Sequence, residues 1–104
     1  MEPRFVRMKP ADRQKQILDA AIVVAERIGF ANVRQVDIAT EAQCGFGTVS
    51  RYFNTMKQMR RAIIREAIQR KSLIIIAAGL GINDPDAQKA PDDLKRKAVS
   101  LLAR

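Results

Sequence analysis

The chain of 104 residues carries 19 Lys and Arg against 11 Asp and Glu, a net charge of +8, with no His, no Trp and one Cys. That length fits one small domain, or one domain with an extension. A lone thiol excludes an internal disulfide, and the lack of His removes the usual zinc ligands together with His-dependent acid–base and triad chemistry.

The charge is unevenly placed. Residues 1–71 hold 14 Lys and Arg and 7 Asp and Glu, whereas residues 72–104 hold 5 and 4. The front two thirds is therefore expected to face a polyanion, and the nearly neutral tail to do something else. Met1 to Pro10 is basic without an apolar run of signal-peptide length. The apolar run Leu73 to Ile82 is interrupted by Gly79 and Gly81 and falls far short of the roughly 20 residues of a spanning helix. The expectation is a cytoplasmic protein with no membrane partner.

In chain order, Ile17, Ala21, Val24 and Ile28 follow helical spacing, widened by Leu18, Ile22 and Ala25. They predict a first helix over 12–28, capped by Asp12 and stopped by a left-handed Gly29. Arg13, Lys15, Gln16, Asp19, Glu26 and Arg27 form its wet face. Phe30 and Val33 in the following link are expected to be buried. A short second helix over 35–43 turns Val36, Ile38, Ala39 and Ala42 inward, with Arg34 as an imperfect cap and Asp37 favoured near its positive end. Cys44-Gly45-Phe46-Gly47 breaks it, glycine supplying the freedom for a tight turn. Residues 48–53 then form a third helix of barely two turns.

Thr55-Met56-Lys57-Gln58 reads as a capping box. It opens a long helix to about Ala78, with Met59, Ile63, Ala67 and Ile74 along one side, terminated by Gly79 and Gly81. Residues 83–90 are loop. Pro91, Asp92 and Asp93 start a last helix whose stripe is Leu94, Ala98, Leu101 and Leu102, with Lys95, Arg96 and Lys97 on the wet face. The fold class is all-α: a three-helix helix-turn-helix unit, a long fourth helix and a short C-terminal helix.

A helix, a short helix, a glycine-containing turn and another short helix suit duplex DNA. A helix fits the major groove while its predecessor braces it and meets the phosphates. Thr48 offers a hydroxyl and a methyl to base edges, Arg51 can reach guanine or phosphate, and Ser50 and Tyr52 can bond phosphate. Phe46 is either a thymine-contacting side chain or a plug beneath the turn. Arg60, Arg61 and Arg65 are either phosphate contacts or a solvated helix face. Cys44 reads as a small buried or turn residue; the alternative, a redox-sensing thiol, has no basic neighbour in sequence to activate it.

The stretch from Arg13 to Ile64 resembles the TetR family of transcriptional regulators. The resemblance rests on Ile17-Leu18-Asp19-Ala20-Ala21, Arg27-Ile28-Gly29-Phe30, Asp37-Ile38-Ala39, Gly47-Thr48-Val49, Arg51-Tyr52-Phe53 and Met59, in that order. It covers about half the chain. Departures from the family pattern are Ser50 where a Tyr is usual, Met56 where a Lys is usual (Lys57 follows), Phe46 at a commonly polar position, and a glycine at Gly45 rather than near Gln43. The resemblance implies a repressor.

The expected DNA-binding set is Arg34, Gln35, Phe46, Gly47, Thr48, Ser50, Arg51, Tyr52 and Lys57, with no catalytic or metal residues and no cofactor. The expected organisation is a basic arm over 1–11, in which Arg4, Arg7 and Lys9 could follow the minor groove, a DNA-binding domain over 12–71 and a dimerising extension over 72–104. One short helix makes few base contacts, so a homodimer on a roughly palindromic duplex is expected. The chain is too short for the family's ligand-binding domain, and no small-molecule effector is expected. The competing reading is a protein-interaction module, antitoxin-like or adaptor-like, whose basic face meets an acidic protein. A membrane-surface basic helix and an enzyme are further alternatives; no nucleophile–base pair or phosphate-cradling glycine loop supports the latter.

Overall fold

The computed structural model describes residues 9–102, so most of the basic arm, including Arg4 and Arg7, lies outside the described residues. The chain is all-α, with six helices and no strand among the described residues. Helix α1 spans Pro10–Ile28 and starts two residues earlier than Asp12 predicts. Pro10 takes the first helical position, where its fixed φ and missing N–H fit, so Asp12 lies in the first turn instead of capping. Gly29 ends the helix at φ 97° and ψ 137°, a positive-φ conformation open to glycine but not the left-handed helical one. Ile17, Ala21 and Val24 are buried as the stripe predicts, but Ile28 is exposed. Phe30, fully buried in a 3-10 turn over Phe30–Asn32, closes that end of the core instead, and Val33 is buried beside it.

Helix α2 is Gln35–Ala42, with Ile38, Ala39 and Ala42 buried. Asp37 sets its start: the carboxylate accepts from the backbone N–H of Arg34 at 3.1 Å. That is the half of a capping box an Arg can join, since its side chain has no acceptor. Val36, expected inward, is 45% exposed because the first turn of α2 projects beyond the core. The turn that follows is made by Gln43 in the left-handed region (φ 56°, ψ 45°), while Gly45 has an ordinary φ of −74°. The turn thus places its positive φ on a residue with a side chain, not on the glycine expected to supply it. Helix α3, Phe46–Tyr52, begins two residues before Thr48 and stops one before Phe53.

Helix α4 spans Met56–Arg70. The Thr55 hydroxyl accepts from the Gln58 N–H at 3.1 Å, as the capping signal predicts, although the return bond from the Gln58 side chain is not made. The long helix expected to reach Ala78 breaks at Lys71 (φ 58°, ψ 39°). Ser72 N–H reaches back to the Ala67 carbonyl at 2.8 Å, and Lys71 N–H to Ile68 at 3.1 Å. This closes the helix end with Lys71 where glycine is usual. Helix α5, Leu73–Gly81, therefore leaves in a new direction: Ile75 and Ile76 enter the core and Ile74 is left exposed, against the expected stripe.

Gly79 does not terminate α5. It is buried inside the helix, and a Cβ there would lie 2.8 Å from both the Ala87 Cβ and the Ile64 Cδ1. The expected loop over 83–90 is tightly organised. The Asp84 carboxylate accepts from the N–H groups of Asp86 (2.9 Å) and Ala87 (3.1 Å), and Ala87–Lys89 forms a 3-10 turn. Helix α6, Asp92–Leu102, packs Leu94 and Ala98 onto α5, while Leu102 is exposed and Leu101 half-buried. All six helices contribute to one continuous apolar cluster.

Candidate nucleic-acid interface

The exposed surface of α3 is positioned by a chain of braces that starts on α1. The Gln16 amide donates to the Ala42 carbonyl at 3.2 Å, satisfying an end-of-helix acceptor of α2, and Arg27 pairs with Glu41 at 2.9 Å. Gln35, near the start of α2, donates to the carbonyl of Phe53, just past the end of α3. The Cys44 N–H donates to the Ala39 carbonyl at 3.0 Å and closes the turn. Val49 and Phe53, four residues apart and both buried, anchor α3 on the core. Tyr52 is half-buried against the same core, and its hydroxyl donates to the Pro10 carbonyl at 3.4 Å.

That anchoring turns Phe46, Gly47 and Arg51 to solvent, with Thr48 and Ser50 half-buried at the edge. The sequence-predicted residues divide into two groups. Arg51 and Lys57 are exposed and form no ion pair among the described residues. Gly47 is exposed, and a Cβ there would meet no atom within 4 Å. Thr48 makes no side-chain hydrogen bond among the described residues. The others already have partners. The Arg34 guanidinium holds Asp37 at 3.1 and 3.2 Å, which raises the arginine's pKa and keeps the Asp37 carboxyl below its ordinary range. Gln35 is committed to Phe53, and the Ser50 hydroxyl donates to the Phe46 carbonyl at 3.3 Å.

Phe46 is 55% exposed, so it is not a plug beneath the turn. It lines a shallow groove of about 320 Å³ with Arg34, Gln35, Val36, Asn54 and Met56. Sequence reasoning missed Val36, Asn54 and Met56 as neighbours of Phe46. The available signal was positional: Val36 and Met56 stand in the first turns of α2 and α4, which leave the core before the apolar stripe begins.

Electrostatics separates this surface from the rest of the cationic half. No acidic residue stands between Glu41 and Glu66, a stretch holding Arg51, Lys57, Arg60, Arg61 and Arg65. Arg61 is drawn away towards Asp86 at 3.8 Å. The C-terminal end of α4 is different. Arg70 pairs with Asp19 and with Glu66 (2.8 Å), and Lys15 pairs with Asp19 at 2.9 Å. Lys15 first, and then Arg70, hold the Asp19 carboxyl below its usual range. Positive charge is neutralised within the molecule there, whereas Arg51 and Lys57 around α3 keep theirs unpaired among the described residues.

Among the described residues no group of three or more acidic or Cys side chains is placed to hold a metal ion, and no helix is long and apolar enough to cross a membrane. No family model, curated protein or solved structure matches this chain.

Proposed function

We propose that the protein is a sequence-specific double-stranded DNA-binding regulator, with α2 and α3 acting as a helix-turn-helix of the TetR-like kind. In this reading α3 enters the major groove and Arg51, Thr48 and Gly47 face the bases. Lys57, at the start of α4, meets the phosphate backbone. One observation carries the reading: the outward face of α3 presents an Arg51 with no ion pair among the described residues and a glycine that no packing requires, on a stretch of sequence with no carboxylate. Glycine costs up to roughly 1 kcal/mol relative to alanine inside a helix and less in the first turn, where Gly47 lies, and an exposed one leaves room for another surface to approach the backbone closely.

Regulation as a homodimer follows from two features. A seven-residue helix offers few base contacts on its own, and Ile74, Ile82, Val99 and Leu102 stand about half exposed on the α5–α6 side. Two copies would place their α3 helices in successive major grooves, about 34 Å apart. Repression by occlusion of a promoter comes from the family resemblance alone.

The testing experiment is a salt titration of binding to DNA enriched from a random duplex pool. Several phosphate contacts require the logarithm of affinity to fall linearly with that of salt, by about 0.9 per contact. A shallow dependence, with no enriched sequence, would overturn the reading in favour of a protein-interaction module.

A further inference from the structure

We infer that the groove between the starts of α2, α3 and α4 reads the methyl groups of thymine, with Phe46 as the specificity-determining side chain. This rests on the DNA-binding reading and adds the class of base recognised. The site is Phe46, 55% exposed at the first position of α3, flanked by Val36 at 45% and Met56 at 39%. These three apolar side chains line the concave surface, and Arg34, Gln35 and Asn54 contribute its polar part.

Nothing in the fold explains the exposure. The core side of α3 is already filled by Val49 and Phe53, and Phe46 is not among the side chains packed on that cluster. An apolar patch of this kind wants an apolar occupant, and the surroundings decide which one. The patch adjoins the stretch without carboxylates that holds Arg51 and Lys57, and the Asp37 carboxylate next to it is paired with Arg34, so the charge here favours an anionic occupant. Duplex DNA combines both properties in one place. In the major groove the C5 methyl of thymine is the one apolar group on the base edges, and it lies within a few ångströms of a phosphate-lined wall. Phe46 and Arg51 stand on the same short helix, about 140° apart around its axis, so a groove that takes the helix end would have one on each flank. Of the three polar residues in the lining, the Arg34 guanidinium is held by Asp37 and the Gln35 amide by Phe53. Part of their hydrogen-bonding capacity is therefore used within the fold, while Phe46, Val36 and Met56 stand exposed for apolar contact.

The test uses the full chain and the duplex enriched from a random pool, with thymines replaced by uracil one strand at a time, then singly. Uracil keeps every hydrogen-bonding edge and lacks only the methyl. The expected result is an affinity loss of about fourfold for each contacted methyl. Phe46→Ala should bind the thymine duplex about as weakly as the unsubstituted protein binds the uracil one, and should no longer distinguish the two; Phe46→Leu should retain part of the discrimination. Equal affinity of the unsubstituted protein for both duplexes, with a steep salt dependence, overturns the inference and leaves DNA binding standing. A preference for thymine that persists undiminished in Phe46→Ala also overturns it, since the methyl would then be read elsewhere. If no duplex is enriched and binding is insensitive to salt, both fall, and the groove belongs to an apolar side chain of a protein partner.

Discussion

Gly47 and Gly79 both sit inside helices, and their surroundings are opposite. Gly79 lies where α5 presses on Ala87 and Ile64, so that even a methyl group would overlap its neighbours. Gly47 lies on α3 with open space around it. The same contrast runs through the two regions that contain them. The α5–α6 hairpin, with the loop joining it, is fastened by close packing and by the Asp84 carboxylate on two backbone N–H groups. The α2–α3 corner is fastened from behind, through Gln16, Gln35, Val49 and Phe53, and on its front Thr48, Arg51 and Lys57 have no side-chain hydrogen bond or ion pair among the described residues. A surface held rigid from one side and left unpaired on the other is what binding with little reorganisation requires.

The contrast can be broken most forcefully at the packed end. Gly79→Val should lower unfolding stability by about 3 kcal/mol, at the upper end of overpacking costs, read as a fall in the urea midpoint without a change in slope. If the midpoint is unmoved, α5 does not rest on Ala87 as described. At the open end Arg51→Ala should cost about 1–3 kcal/mol of affinity for the enriched duplex while leaving the unfolding midpoint within error. Thr48→Ala should act in the same direction and less. Unchanged affinity in both would remove α3 from the interface.

Gly47→Ala sharpens the comparison because its two effects have opposite signs. Helix propensity predicts a gain of up to about 1 kcal/mol in stability, and close approach of DNA predicts weaker binding. A variant that is more stable and binds equally well would mean that the glycine has no part in recognition. The smallest effect concerns the neutralised end of the cationic half. The Asp19 carboxyl, depressed by Lys15 and Arg70, is ionised at lower pH in the folded chain than in the unfolded one. Its contribution is therefore fully present above about pH 4 and is lost as pH falls through the depressed value. For a pair this exposed the contribution is roughly a few tenths of a kcal/mol. Arg70→Ala should flatten the acid side of the stability profile by that amount, and an unchanged profile would discount the pair.

Much of the helical layout is legible in the residues. The stripe of Ile17, Ala21 and Val24, the burial of Phe30 and Val33, the Thr55 cap and the Asp92–Asp93 start all depend on neighbours three or four positions apart. Spacing along the chain reports such neighbours directly. The errors have a common cause. Val36, Ile74 and Leu102 satisfy helical periodicity yet stand exposed, because periodicity says which residues share a face and not how far the core extends along it. The break at Lys71 carries no glycine or proline to announce it. Gln43, likewise, occupies a left-handed position that composition assigns to Gly45.

For the candidate site, the sequence determined the residue types on α3 and the run from 42 to 65 without an acidic residue, and the proposed partner rests on these. Only the tertiary structure decided which side chains are available to it. Arg34, Gln35 and Ser50 are taken by Asp37, Phe53 and Phe46, whereas Arg51, Lys57, Gly47 and Phe46 are left open. The physical reason is that availability depends on competition for hydrogen-bond and ion-pair partners through space. Gln35 and Phe53, eighteen positions apart, meet only because α2 packs against α3.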